Sequence, residues 1–97
     1  MKLVVKFYSA EENGRSVLPE FDGGQYRPHL VIDDDPNKEY LGVQFIRCDD
    51  VIAFNTDIKV DVKLPYRNVD YAGLLPGVSF VIKEGSKSVG SGNVQAL

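Results

Sequence analysis

Thr56-Asp57-Ile58-Lys59-Val60-Asp61-Val62-Lys63-Leu64 alternates a polar or charged residue with an aliphatic one at every step. Successive side chains of an extended chain point to opposite faces. Ile58, Val60, Val62 and Leu64 therefore share one face, and Asp57, Lys59, Asp61 and Lys63 share the other. That is a strand with one dry side and one wet side. Alternating acid and base on the wet side suit flanking strands and discourage aggregation through an edge.

Period two recurs on both sides of this stretch. Lys2 to Tyr8 places Leu3, Val5 and Phe7 on one face. His29 to Ile32 is short and apolar, and Tyr40 to Ile46 sets Leu41, Val43 and Phe45 together. Val78 to Lys83 carries Phe80 and Ile82, and Ser88 to Ala96 carries Val94 and Ala96. The breaks have turn chemistry: Glu11-Glu12-Asn13-Gly14, Phe21-Asp22-Gly23-Gly24, Asp33-Asp34-Asp35-Pro36-Asn37, Pro65, Pro76-Gly77, and a tight hairpin at Glu84-Gly85-Ser86-Lys87. No window sustains a helical period; Tyr71 to Leu75 has room for one turn at most, limited by Gly73 and Pro76. Six short strands predict an all-β domain over residues 1–97. A six-stranded antiparallel closed barrel is expected, because closure removes two unpaired edges. Gly90 and Gly92 weaken the last strand unless another backbone approaches closely or the strand coils sharply there.

The 97 residues suffice for one core; 43% are apolar and 26% charged, as in ordinary soluble domains. The formal net charge of −3 disfavours indiscriminate nucleic-acid binding, although a local basic patch is compatible with it. Cys48 is the one cysteine, so neither an internal disulfide nor a thiolate zinc site can form; an inert, half-buried thiol is expected. Charge interrupts the first residues too early for a signal sequence, and no apolar run approaches the ~20 residues that cross a bilayer. A cytoplasmic chain without membrane contact is expected.

Three separated blocks and one shorter landmark carry a resemblance. Phe80-Val81-Ile82-Lys83-Glu84-Gly85-Ser86-Lys87-Ser88-Val89-Gly90-Ser91-Gly92-Asn93-Val94 resembles F-A-I-R-E-G-G-R-T-V-G-A-G-V-V, the C-terminal signature of elongation factor Tu. Phe21-Asp22-Gly23-Gly24-Gln25-Tyr26-Arg27-Pro28-His29 is similar to that family's F-x-x-G-Y-R-P-Q, with two extra residues before Tyr26. Glu11-Glu12-Asn13-Gly14-Arg15 is similar to E-E-G-G-R, and Asn55-Thr56-Asp57 stands where the family has P-G-D-N. The landmarks keep the family order and cover nearly the whole chain. The resemblance implies the six-stranded barrel of the family's third domain, which contacts the factor's other domains, the T stem of aminoacyl-tRNA and the exchange factor Ts.

GTP chemistry does not carry over. No G-x-x-x-x-G-K-[ST] loop precedes a helix, and Gly85-Ser86-Lys87-Ser88 joins two strands instead. The resemblance places Lys83 and Lys87 where phosphates are met and the Gly85 backbone where a ribose approaches. Arg15 or Arg27 would extend these into a basic strip. Against tRNA stand the clustered carboxylates Asp33, Asp34 and Asp35.

Other constellations have bland readings. The Asp33–Glu39 stretch lacks the glycine and distal glutamate of a calcium loop and reads as a solvated turn. His29, the one histidine, has no nucleophile with a supporting carboxylate. Asp49 and Asp50 are adjacent and diverge, which suits a turn better than a carboxylate pair. Tyr66, Arg67 and Tyr71 are residue types enriched in interface anchors, and packing over the barrel end is the other reading. The expectation is a non-catalytic module without metal, cofactor or nucleotide, binding a protein partner through Arg27, Tyr66, Arg67, Tyr71, Lys83, Gly85 and Lys87, with tRNA as the alternative.

Overall fold

The computed structural model describes residues 1–97 and is all-β, with one turn of 3-10 helix at Ala10–Glu12. The strands are β1 (Lys2–Phe7), β2 (His29–Ile32), β3 (Leu41–Gly42), β4 (Gln44–Cys48), β5 (Ile58–Lys63), β6 (Ser79–Glu84) and β7 (Lys87–Ala96). They form one antiparallel sheet in the order β3-β2-β6-β7-β1-β5-β4.

The sheet is an open, curled half-barrel sweeping 239°, with seven strands rather than the closed six-stranded barrel expected above. The difference originates in the segment read as one strand, Tyr40 to Ile46. It divides at Val43 into β3 and β4, which lie at opposite edges of the sheet. Pro28 supplies the physical reason. Val43 N–H donates to the Pro28 carbonyl at 3.0 Å, but proline has no N–H to return, so the β2–β3 ladder stops at Gly42. Phe45 N–H donates to Tyr26 O at 2.9 Å, and Gly23 N–H to Ile46 O at 3.1 Å. These single bonds tie the segment before β2 to β4 without completing a ladder.

Curling has a second cause, which is local. The register slips at Lys2/Leu3 against β7, at Phe45/Arg47 against β5, and at Ile82/Lys83 against β7. Each slip leaves an extra residue on one strand, which bends it and increases its twist. Gly90 and Gly92 lie where backbones crowd together. A Cβ at Gly90 would stand 2.5 Å from the Lys6 carbonyl oxygen, and one at Gly92 would collide with Val4 O. The close backbone approach expected of these glycines is therefore present.

The concave side is dry. Leu3, Val5, Phe7, Leu30, Leu41, Val43, Phe45, Ile58, Val60, Val62, Phe80, Ile82, Val89 and Val94 are buried in one cluster, with Phe21 and Leu74 delivered from loops. Val60 is 2% exposed, and Lys59 and Lys63 on the other face of β5 are exposed. The face assignment made from alternation therefore holds, with Leu64 only half-buried. Phe7, Phe21, Tyr26 and Phe45 meet with ring centroids 5.1–6.3 Å apart, Phe21 stacked on Phe45 and the other pairs tilted or edge-on, at one end of the core. Tyr71 to Leu75 forms a turn, closed by Leu74 N–H donating to Tyr71 O at 2.9 Å.

Candidate functional site

Two side-chain groups stand out, one turned into the mouth of the curl and one on its convex surface. The first joins Arg15, Tyr26 and Glu84. Along β6, Phe80, Ile82 and Glu84 alternate inward, so the last of them carries a carboxylate to the end of the aromatic group. Tyr26 hydroxyl donates to Glu84 Oε2 at 2.6 Å, and Arg15 Nη1 donates to the same oxygen. The Arg15 guanidinium also lies 5.6 Å from the centre of the Tyr26 ring. Burial, reinforced by the hydrogen bond to Glu84 and its negative charge, holds the Tyr26 phenol far above its ordinary range. A neutral phenol and a cation thus converge on a carboxylate whose oxygen already accepts both. That arrangement clasps three distant segments through charge-assisted hydrogen bonds. Each of the three residues comes from a different block of the resemblance described above, and nothing in the spacing of those blocks announces that they meet.

The second group is built by pairing register. His29 on β2 faces Lys83 on β6 and Gly42 on β3, and Lys83 faces Ser88 on β7. Directly opposed residues of antiparallel strands project to the same side. Lys83, His29 and Gly42 therefore form one row across the convex face. Tyr66 lies on Gly42 so closely that a Cβ there would sit 2.5 Å from its Cε2. Tyr40, two residues before Gly42, packs its ring 5.6 Å from that of His29. Tyr40 and Tyr66 remain 43% and 40% exposed. The alternation of Leu41, Val43 and Phe45 inward already implied that Tyr40 and Gly42 face outward, so the missed residue Tyr40 had a signal in the sequence.

The residues singled out from sequence distribute as follows. Tyr66 and Lys83 belong to this row, and Arg67 follows Tyr66 in the chain. Arg27 is exposed two residues before His29, with Nε donating to Gly24 O at 3.4 Å. Gly85 forms the hairpin tip with φ of 60°, and Lys87 follows it, sharing a shallow groove with Arg15 and Glu84. Tyr71 instead serves the fold. Its hydroxyl donates to Gly42 O at 2.5 Å and accepts from Tyr66 N–H at 3.4 Å. It thereby covers the outer edge of β3, and burial raises its pKa.

The ion pairs divide the cations. Lys2 and Arg47 meet Asp61, Lys6 meets Asp57, Arg15 meets Glu84, and Arg47 also meets Asp49. Arg27, Lys38, Lys59, Lys63, Arg67, Lys83 and Lys87 have no carboxylate within ion-pair distance. Lys38 is held by its own turn, where Nζ donates to Asp33 O at 2.5 Å, and Lys59 stands on β5 opposite Val4 of β1. Lys63 is outward on β5 opposite Gln44, which is two residues from Gly42. Lys83 belongs to the aromatic row itself; Arg27 stands two residues before His29, Lys63 opposite Gln44, and Arg67 next to Tyr66 in the chain. Carboxylates bound the row: Asp33 and Lys38 share a shallow groove with Lys83, and Glu39 adjoins Tyr40.

The remaining candidates are structural. Asp35 accepts from the backbone of Asn37 and Glu39, as a turn does. Asp50 accepts from Lys59 N–H at 2.7 Å, whereas Asp49 pairs with Arg47, so the two carboxylates have separate partners. Cys48 is half-buried, and desolvation pushes its thiol up, away from the reactive thiolate. No group of carboxylate, histidine and cysteine side chains has the geometry to hold a metal ion. No helix is long and apolar enough to cross a membrane. A separate exposed apolar pair, Val51 and Ile52, follows Asp49 and Asp50 on the β4–β5 loop. Comparison of the chain with protein-family models, curated proteins and solved structures finds no match.

Proposed function

We propose that this chain is a non-catalytic interaction module of the elongation factor Tu domain 3 type, working in the cytoplasm. It engages a protein partner through the convex face around His29, Tyr40, Tyr66 and Lys83. The observation that carries this reading is the exposure of two tyrosine rings amid cations that no carboxylate neutralises. Tyrosine and arginine supply large contact area and directional hydrogen bonds, which is why they anchor interfaces. The likeness to the elongation factor's barrel is supported by the three sequence blocks and by the convergence of one residue from each at Glu84.

RNA is the second reading, because exposed tyrosines beside lysine and arginine also suit a stacking surface. Two features weigh against it. Arg15, one of the bases that would complete a strip with Lys83 and Lys87, is paired with Glu84. The face is also small and fenced by acid. Asp33 is four residues from His29 along β2, ~13 Å at strand rise, and a polyanion crossing the row would meet it.

Binding of tRNA measured from low to moderate salt separates the readings. Electrostatic affinity is greatest at low salt. The proposal predicts no saturable complex even there. Tight binding with a steep salt slope, lost on Lys83→Glu, would transfer the face to RNA.

A further inference from the structure

Resting on that reading, we infer that the partner presents an acidic extended segment to the convex face, its carboxylates meeting Lys63, Lys83 and Arg27 and an apolar or aromatic side chain lying against Tyr40 and Tyr66. Charge complementarity selects this occupant. The chain carries a net charge of −3, yet most of the cations without carboxylate partners stand in or beside this one row. Asp33 and Glu39 at the margins of the row steer a generally acidic protein away, while the cations between them draw in a short run of negative charge.

Dimensions restrict the occupant further. Lys83, His29 and Gly42 stand on neighbouring strands, so the row from β6 to β3 spans ~10 Å. An extended peptide places same-side residues ~7 Å apart, so alternate carboxylates match cations at that scale. A nucleic-acid duplex instead distributes charge far beyond the row, toward Asp33 and Glu39. The rings are positioned before binding: Tyr66 lies on Gly42, its backbone N–H donates to the Tyr71 hydroxyl, and Tyr40 lies against His29. Preorganised aromatic anchors give contact area at small entropic cost.

The test uses two synthetic peptides, one alternating glutamate with leucine and one alternating lysine with leucine, titrated into the 15N-labelled chain. A yeast tRNA forms a third arm. The acidic peptide is expected to shift the amides of His29, Gly42 and Lys83. Its affinity should fall about tenfold for the Lys63→Glu/Lys83→Glu double variant, the size expected when surface pairs become repulsions. Unchanged melting of that variant excludes unfolding as the cause. Preference for the lysine peptide, or shifts confined to another surface, overturns the acidic occupant and leaves the protein-binding module standing. Silence toward both peptides at millimolar concentration also overturns it. Binding of tRNA alone, at these same amides, overturns the occupant and the protein-binding reading together.

Discussion

Replacing Val60 by Asp should bring the domain to the edge of unfolding at neutral pH, whereas Lys59→Asp next to it should be almost silent. Val60 is 2% exposed and pairs with Leu3 on β1 and Cys48 on β4. Removing the buried isopropyl group forfeits ~1.5–3 kcal/mol. The new carboxyl must then be carried into the core uncharged. Protonating an aspartate of ordinary pKa ~3.9 at pH 7 costs ~4 kcal/mol, at ~1.4 kcal/mol per unit. The total of ~5.5–7 kcal/mol compares with a whole-domain stability of ~5–15 kcal/mol. Lys59 is exposed and makes no ion pair, so its replacement should cost under ~1 kcal/mol, or a few degrees in Tm. Thermal melts followed by circular dichroism at pH 7 and pH 4 test this. The folded pKa of the buried carboxyl lies above the unfolded one, so its penalty is fully present at high pH and shrinks as pH falls toward ~4. Val60→Asp should therefore recover partly in acid. Equal melting temperatures for the two variants, or no recovery in acid, would refute the assignment of faces on β5.

Other substitutions probe the backbone and the polar clasp. Gly92→Ala forces a Cβ into Val4 O, a backbone atom that cannot step aside, and should cost ~1–3 kcal/mol by denaturant melts; Gly85→Asn, at an open left-handed tip, should cost well under ~1 kcal/mol. Tyr26→Phe should lower stability by ~1 kcal/mol at pH 7. The folded Tyr26 pKa is raised, so the stability tied to its neutral phenol is complete below ~10 and lost as pH rises beyond that. The native chain should therefore unfold in strong alkali with a tyrosinate absorbance step smaller in Tyr26→Phe. The Lys2 hydrogen bond holds the Asp61 carboxyl below its usual range, followed by burial acting the opposite way. Any advantage over Lys2→Ala should thus be present at neutral pH, persist down to ~4, and vanish as acid titrates the folded carboxyl.

The strands were legible because alternation is a local property. The β5 pattern fixed its buried face without knowledge of any partner, and the tight hairpin at Gly85 declared itself by its residues. Closure was not legible, because it depends on what Pro28 fails to donate to a segment fifteen residues further along. A single strand was expected from Tyr40 to Ile46, whereas hydrogen bonding on its two sides divided it. The site was half legible. Residue type points to Tyr66 and the resemblance to Lys83, but their common row required the β2–β6 and β2–β3 registers, which are set at long range. Tyr71 illustrates the reverse: its residue type suggested an interface, and its hydroxyl is turned to the edge of β3. The clasp of Arg15, Tyr26 and Glu84 joins residues 69 and 58 positions apart and could not be assembled from spacing.

The most direct test of the binding face is photo-crosslinking inside the producing cell, with a benzoylphenylalanine in place of Tyr66 and, as the control, in place of Lys59. The account predicts discrete protein adducts from position 66 that disappear when Lys83→Glu is added, and none from position 59. Adducts to RNA at position 66, or the same protein adducts from both positions, would contradict it.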